Sequence, residues 1–360
     1  MDLPGDGIVS KATLDWIQPL WEAELAQAVE AREARRCNNL FGNEDGDDEN
    51  TDEDSDSTDR LLMISKESIP SFLGVADFSF WMDDHSTGHG NRVWHASIAT
   101  CMYLKEYFHS QMPKSSASSP SSASSWQSLE LGAGTALPSL FLGHLIASQR
   151  EDDGHDHAAA RPFLHITDGK QYRNIRQVLY SLSKQPPAIR ETATYRVSPH
   201  NWGQNLDTFL SQECHAATPR SYDLVIVSDC IYNPTFHRDL LTTIAATLRL
   251  PDGPHDSGGR VILSFSLHGN TPDQDIWNFI DGMVPETQHG EWRLQACPVR
   301  AESLASTTLA AAPDGRKEQP TEGRHGWDME QMMKDLGLWV ANIKAKRWFS
   351  YLYEITWTKD

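Results

Sequence analysis

Four short stretches of this sequence place ligand-holding or proton-handling side chains at the ends of apolar runs. The first is Leu129-Glu130-Leu131-Gly132-Ala133-Gly134-Thr135-Ala136-Leu137-Pro138. Gly132 and Gly134 allow a tight turn and a close backbone approach to a ligand at the carboxyl end of a strand. Glu130 sets a carboxylate directly before that turn. A dinucleotide fingerprint carries a third glycine where Leu137 stands, which argues against a nicotinamide dinucleotide. The second stretch is Ile166-Thr167-Asp168-Gly169. Asp168 either accepts the hydroxyls of a ribose or caps the helix that follows. In the third, Pro199-His200-Asn201-Trp202-Gly203, Trp202 is either a flat face for an adenine ring or a core side chain. The fourth is Ser228-Asp229-Cys230-Ile231-Tyr232. A carboxylate at Asp229 with a phenol at i+3 can accept hydrogen bonds from an amine and orient its lone pair. The alternatives are a turn residue for Asp229 and a packing aromatic for Tyr232. Upstream, Arg92 and Trp94 stand in Gly88-His89-Gly90-Asn91-Arg92-Val93-Trp94, a loop before a helix.

These groups meet only if the elements around them form one sheet. Apolar runs at Trp126–Leu131, Phe163–Thr167, Ala193–Ser198, Tyr222–Ser228 and Arg260–Ser266 read as strands. Helical patterns at Val93–Phe108, Ala136–Ser148, Tyr172–Leu182, Phe236–Leu248 and Asp273–Met283 separate them. Nearly continuous runs such as LVIV and VILSF suit strands covered on both faces, so the alternation predicts an α/β fold with a parallel sheet and helices on both sides. The C-terminus differs. Met329–Leu336 reads as a helix. Leu338–Ile343 and Phe349–Trp357 read as strands joined by a short basic turn, which forces an antiparallel pairing. The expectation is therefore a Rossmann-like sheet of parallel strands that ends in a C-terminal antiparallel hairpin.

Composition narrows the function classes. Of 360 residues, 31 are Lys or Arg and 50 are Asp or Glu, for a net charge of −19. That balance excludes a phosphate-neutralising nucleic-acid binder and opposes docking on anionic lipid. A run of ten acidic residues from Glu44 to Asp59, without Lys or Arg, carries about half of the excess, and it reads as a disordered, solvated linker. It follows a predicted helix at Ile17–Arg36, with Leu20, Ala23, Glu24 and Ala28 at helical spacing. Polar or Ser/Pro-rich stretches at 113–125, 150–161 and 301–324 read as insertions. The five cysteines are scattered without a C-x-x-C pair, so neither a disulfide framework nor a zinc site is expected. No metal site is expected at His155 and His157 either. With no secretory signal, the reading is a cytoplasmic protein, with room for a nuclear fraction, and no membrane partner.

The blocks RVWHAS, LELGAGTALPSL, ITD, HNWG and SDCIY, in this order, resemble the family-16 methyltransferases, the seven-strand class I enzymes that use S-adenosylmethionine and include many protein-lysine methyltransferases. SDCIYNPTFHRDLL and KRWFSYLYEITW are similar to a fungal nicotinamide N-methyltransferase-like subgroup, some of whose members methylate the N-terminal region of translation elongation factor 1-alpha. The resemblance spans roughly residues 85–360, leaving 1–84 as an N-terminal helix, acidic segment and lead-in. It implies S-adenosyl-L-methionine as cofactor, held by Trp94, Glu130, Gly132, Ala133, Gly134, Asp168, Trp202 and Ser228. It implies Asp229 and Tyr232 as the catalytic pair facing an amine, and no metal. It also implies a protein substrate, which an acidic chain suits if the target is basic, and a monomer. Two other readings stand beside it, a small-molecule N-methyltransferase with a nicotinamide-like substrate and a cofactor-binding module without catalysis. A closed apolar pocket favours the former; an open acidic mouth favours a protein acceptor.

Overall fold

A computed structural model describes residues 8–40, 64–83, 92–111, 126–152, 161–212, 220–253, 256–267, 271–299, 327–329 and 349–359. The acidic run, the stretches at 113–125 and 301–324, most of 150–161 and the predicted elements at 330–343 lie outside the described residues.

Helix α1 (Lys11–Leu40) is followed by the antiparallel pair β1 (Ile64–Phe72) and β2 (Val75–Asp83). The pair closes through Leu73 and Gly74, both at positive φ (51° and 91°), the left-handed combination that suits the twist of a two-residue hairpin. Then come α2 (His95–Gln111), β3 (Gln127–Leu131), α3 (Leu137–Asp152), β4 (Phe163–Asp168), α4 (Tyr172–Ser183), α5 (Pro187–Thr192), β5 (Thr194–Pro199), α6 (Leu206–Gln212), β6 (Leu224–Ser228), α7 (His237–Thr247) and β7 (Arg260–Ser266). After β7 lie α8 (Asp273–Asn278), which runs on into a π turn through Met283, then β8 (Gln288–His289), β9 (Trp292–Pro298), β10 (Trp327–Asp328) and β11 (Phe349–Lys359).

The sheet order is β5-β4-β3-β6-β7-β11-β9-β8. The five strands from β5 to β7 are parallel. Strand β11 runs antiparallel to both β7 and β9. The predicted parallel core and its antiparallel C-terminal end are thus present. Within the described residues β11 is inserted between β7 and β9, and β9 is a strand the sequence reading did not contain. The proposed hairpin partner, 338–343, lies outside the described residues.

The alternation of side chains along a strand explains the helices on both faces. On β6, Leu224 and Ile226 join one core with α2, α3 and α4, while Val225 and Val227 join the other with α6, α7 and α8. Each large apolar side chain so buried contributes about 1.5–3 kcal/mol. The β1–β2 hairpin adds Phe72 and Phe78 to the first core, stacked on each other at 5.0 Å with Phe141 of α3 edge-on. Helix α1 turns Ile17 and Trp21 inward, whereas Leu20 is 41% exposed; the apolar stripe is therefore rotated from the one assigned through Leu20. Val9 makes a single parallel bridge to Val197, lying along the outer edge of β5.

Candidate cofactor and acceptor site

In a sheet of this order the chain leaves β3 toward β4 and β5, then crosses back to β6. The crevice at that reversal, beyond the carboxyl ends of the strands, is where ligands sit in such folds. Here it holds a cavity of about 490 Å³. All ten residues singled out in the sequence line it: Trp94, Glu130, Gly132, Ala133, Gly134, Asp168, Trp202, Ser228, Asp229 and Tyr232.

The glycine turn follows β3. Gly132 has φ +68°, and a Cβ there would lie 2.7 Å from Cys230 Sγ and 2.9 Å from Trp202 Cζ2. Both conformation and space therefore demand glycine. Cys230, which the sequence reading did not single out, fills the floor under the turn and donates its thiol to the Leu131 carbonyl at 3.2 Å; burial pushes that thiol well up from its ordinary pKa.

Glu130 is 1% exposed. Its Oε2 accepts the Ser139 amide at 3.1 Å, satisfying one of the unpaired N–H groups in the first turn of α3. Burial outweighs this bond and lifts the carboxyl to about 8, with Asp168 adding a smaller push upward. An apolar shell thus leaves Glu130 largely protonated at neutral pH, and a cation in the cavity would draw the charged form out.

Asp168 does not cap α4. The residue before that helix is Gln171, without a side-chain capping bond. Instead the Asp168 carboxylate accepts the Gly134 amide at 2.7 Å and Asn174 Nδ2 at 2.8 Å, with the Gly169 amide as a third donor. Burial raises its pKa against these three bonds. A carboxylate offers about four lone-pair sites, so a ribose finds room for one hydroxyl and shares the rest with Asn174. Asn174 carried no signal in the sequence, since its position one turn into α4 is visible only once that helix is docked.

Trp202 is half-buried and lies over the Gly132 turn, not in the core. Phe236 meets its ring edge-on at 6.4 Å and is 47% exposed at the cavity mouth. His200 is buried at the same wall, with its ring stacked on Phe209 at 3.9 Å, and burial lowers its pKa to about 4.

Asp229 is both a turn residue and a cavity residue. It sits at φ +57°, a conformation that Asp tolerates better than most side chains. Its amide donates to the Ser264 carbonyl at 2.8 Å and its Oδ1 accepts the Ser266 amide at 3.1 Å. Two residues on, His237 Nε2 meets the Ile231 carbonyl at 2.9 Å, and Thr271 Oγ1 donates to the Tyr232 carbonyl. The segment is pinned on both sides by β7 and α7. The Tyr232 ring is 38% exposed, which rules out a buried packing role. Desolvation first, and then Cys230, Asp168 and Asp229, raise its pKa, so the phenol is neutral. Ser228 completes the wall, its Oγ accepting from Ser264 Oγ at 3.2 Å.

S-adenosylmethionine, the cofactor the resemblance implies, fits this donor set. A glycine cradle admits no Cβ, three buried carboxyls (Glu130, Asp168 and Asp229) face a cavity with no metal cluster among the described residues, and aromatic rings flank the turn. Among the described residues, no helix is long and apolar enough to cross a membrane.

Comparison with known proteins agrees with this geometry. Residues 77–251 match the family model described as lysine methyltransferase. Similar proteins include the protein N-terminal and lysine N-methyltransferase EFM7 of Candida albicans, 26% identical over 204 residues that cover 55% of this chain and 64% of that one. The EFM7 of Candida glabrata is 28% identical over 180 residues, covering 50% and 56%. That of Cryptococcus neoformans var. neoformans is 26% identical over 197 residues, covering 50% and 54%. The chain spans between half and two thirds of the length of the relatives it matches. The match runs from β2 to just beyond α7 and so contains every cavity residue named above; over that span this chain is similar to the lysine methyltransferase family.

Proposed function

We propose that this protein transfers the methyl group of S-adenosylmethionine to an amine of a protein, either a lysine side chain or an N-terminal α-amine. The observation that carries this reading is the arrangement of Asp229 and Tyr232 on the same cavity as the glycine turn and Asp168. One side of the cavity can hold a nucleoside, and the other presents a carboxylate and a phenol to an incoming nitrogen.

The cofactor supplies an electrophilic sulfonium methyl. The protein's own work is alignment and desolvation. Gly132, Ala133 and Gly134 admit the ligand backbone-close, Asp168 holds a ribose hydroxyl and shares the other with Asn174, and Trp202 and Ser228 border the base. Trp94, entering α2, and Glu130 face the charged amino-acid end. Asp229 receives the N–H groups of the acceptor and aims its lone pair, which an amine of pKa ~10.4 exposes only after losing a proton. Tyr232 offers its ring face to an alkylammonium, an attraction of about 0.5–2 kcal/mol. Alignment of this kind corresponds to effective molarities of about 10⁵–10⁸ M.

The exposed rings of Tyr232 and Phe236 favour a macromolecular acceptor over a nicotinamide-like one. They leave the mouth open, whereas a small flat substrate calls for a pocket that closes around it. The names of the EFM7 relatives support the same class of acceptor.

The test is incubation of the purified protein with radiolabelled S-adenosylmethionine and a methylation-deficient lysate, beside Asp229→Asn. A labelled protein band that disappears in the variant supports the reading. Label confined to a small-molecule filtrate shifts it to the nicotinamide-like alternative. Cofactor binding with no label in either fraction favours a binding module.

A further inference from the structure

Helix α4 grips two parts of the molecule at once. On one side, Asn174 Nδ2 donates to Asp168 Oδ1 at 2.8 Å, and Gln177 Nε2 donates to the Gly134 carbonyl at 3.0 Å. On the other, Gln177 Oε1 accepts the Asp83 amide from the end of β2 at 2.8 Å. Arg176, fully buried, pairs with the Asp83 carboxylate and with Glu24 of α1, the latter at 2.6 Å. Tyr172 donates its hydroxyl to the same Glu24 oxygen at 2.8 Å. Ser181 Oγ accepts the Trp81 amide at 2.9 Å and donates to the Trp81 carbonyl at 3.1 Å.

These bonds form one continuous chain: Glu24, Arg176, Asp83, Gln177, Gly134, Asp168, Asn174. Its members Arg176, Asp83, Gln177 and Asp168 are all buried. Residue Gly134 stands at its centre, its N–H donating to Asp168 and its carbonyl accepting from Gln177, so the peptide groups on both sides of its Cα are held. The Gln177 amide has one acceptor and one donor group, and each is used on a backbone partner from a different layer.

We infer that Gln177 is a positioning residue for the cofactor turn, and that docking of α1 and the β1–β2 hairpin on α4 sets the conformation of Gly134 through it. The amino-terminal layer is then part of the cofactor site without touching the ligand. In the docked state Asp83 is fixed by Arg176, Gln177 is fixed by Asp83, and the Gly134 carbonyl is turned away from the cavity. With α1 and the β1–β2 hairpin both undocked, Arg176 loses Glu24 and Asp83 and keeps an uncompensated charge in the interior. That favours rearrangement of α4 at the positions that carry Gln177 and Asn174. The inference rests on the cofactor reading for its consequence, but the linkage itself is a property of the ligand-free chain.

The test uses the full chain with Glu24→Ala, Gln177→Met and the double variant. Met conserves volume but makes neither bond. The first readout is hydrogen exchange of the Gly134 amide in ligand-free protein, with amides of β6 and β7 as internal reference. Gln177→Met is expected to speed Gly134 exchange ~10-fold or more over the reference, and Glu24→Ala by several-fold at a distance. In the double variant the Glu24→Ala effect on Gly134 disappears, because its route is already cut. If Glu24→Ala leaves Gly134 exchange unchanged, or if the two effects multiply, the linkage is overturned. Should Gln177→Met fail to fold, Glu24→Ala alone decides. The second readout is the dissociation constant of S-adenosylhomocysteine, expected to rise in both single variants in proportion to exchange. A wild-type protein that does not bind this nucleoside sinks the cofactor reading and leaves the exchange result standing.

Discussion

The Asp168 carboxylate accepts the amide N–H of Gly134 at 2.7 Å, joining the carboxyl end of β4 to the turn that follows β3. The acid at the end of one strand therefore shapes the glycine turn at the end of its neighbour and at the same time faces the cavity. Removing it takes away a turn anchor and a ligand group together.

For Asp168→Ala the expected loss in affinity for S-adenosylmethionine is about 1.5–3 kcal/mol, the range for a hydrogen bond to a charged group. Calorimetric titration reads it directly. Asp168→Asn, which keeps an acceptor for the Gly134 amide, should lose less. Equal affinity in wild type and Asp168→Ala would show that the ribose is held elsewhere.

Gly132→Ala meets three obstacles, a left-handed φ, a sulfur atom 2.7 Å from the new methyl group and Trp202 Cζ2 at 2.9 Å. A destabilisation of about 1–3 kcal/mol is expected from the backbone alone. Adding Cys230→Ala should recover the sulfur part of the steric cost and leave the Trp202 contact and the conformational part. Denaturant melts of the two variants separate these contributions, and full recovery in the double variant would mean that φ carries no cost.

Glu130 makes stability depend on pH. Its folded pKa of about 8 lies above the unfolded value near 4.5, so between those values the native state holds a proton that the unfolded chain has released. Stability then falls as pH rises through that window. Below pH 4.5 both states are protonated and the difference vanishes. Glu130→Gln keeps an acceptor for the Ser139 amide and abolishes the titration. Its melting midpoint should stay flat from pH 5 to 8 relative to wild type, which declines. Parallel curves would place the titration elsewhere.

Asp229→Asn preserves the acceptor for the Ser266 amide and a side chain that tolerates the left-handed φ. The methyl-transfer rate should drop ~10²–10⁴-fold, the range for a positioned proton-handling group, with cofactor affinity within a factor of about two. Asp229→Ala, by contrast, leaves a buried N–H without its partner and should also lose about 1–3 kcal/mol of stability. A rate drop in Asp229→Ala without one in Asp229→Asn would assign this carboxylate to support of the loop, not to the acceptor.

Breaking the buried charge cluster has a different signature. Arg176→Ala removes the buried guanidinium from Asp83 and leaves the more exposed Arg173 at 3.9 Å, and a loss of about 3–5 kcal/mol is expected. Asp83→Asn is milder because the amide still accepts from Arg176. Chemical denaturation of the two orders them, and an Arg176→Ala protein as stable as wild type would show that water reaches the cluster.

Strands β6 and β7 were legible because each carries a nearly continuous apolar run. Leu224, Val225, Ile226 and Val227 feed two cores at once, and that demand writes itself into every position. Strand β9 was not legible for the opposite reason. It lies toward one edge of the sheet, only Leu294 on it is buried, and its alternation is confined to the five residues Trp292-Arg293-Leu294-Gln295-Ala296, with no continuous run. The β1–β2 hairpin left a readable trace in Asp77-Phe78-Ser79-Phe80 beside Leu73-Gly74, yet a single alternating stretch is weak evidence until something covers its apolar face. Leu20 misled in α1, because helical spacing alone does not say which of two neighbouring stripes meets the protein.

By itself the sequence determined the local chemistry: glycines where a turn must be tight, an acid at the end of one strand, and an acid with a phenol three residues on at the end of another. Those are properties of residue type and spacing, and they survive any arrangement of the layers. Only the tertiary structure decided what faces what. It brought ten residues from five segments to one cavity, turned Asp168 from a helix cap into the anchor of Gly134, and buried a carboxyl deeply enough to hold its proton near neutral pH. It also made Gln177, an unremarkable amide in the middle of a helix, the link between the amino-terminal layer and the cofactor turn. Burial and hydrogen-bond partnership are set by residues far apart in the chain, so no spacing along it could have announced them.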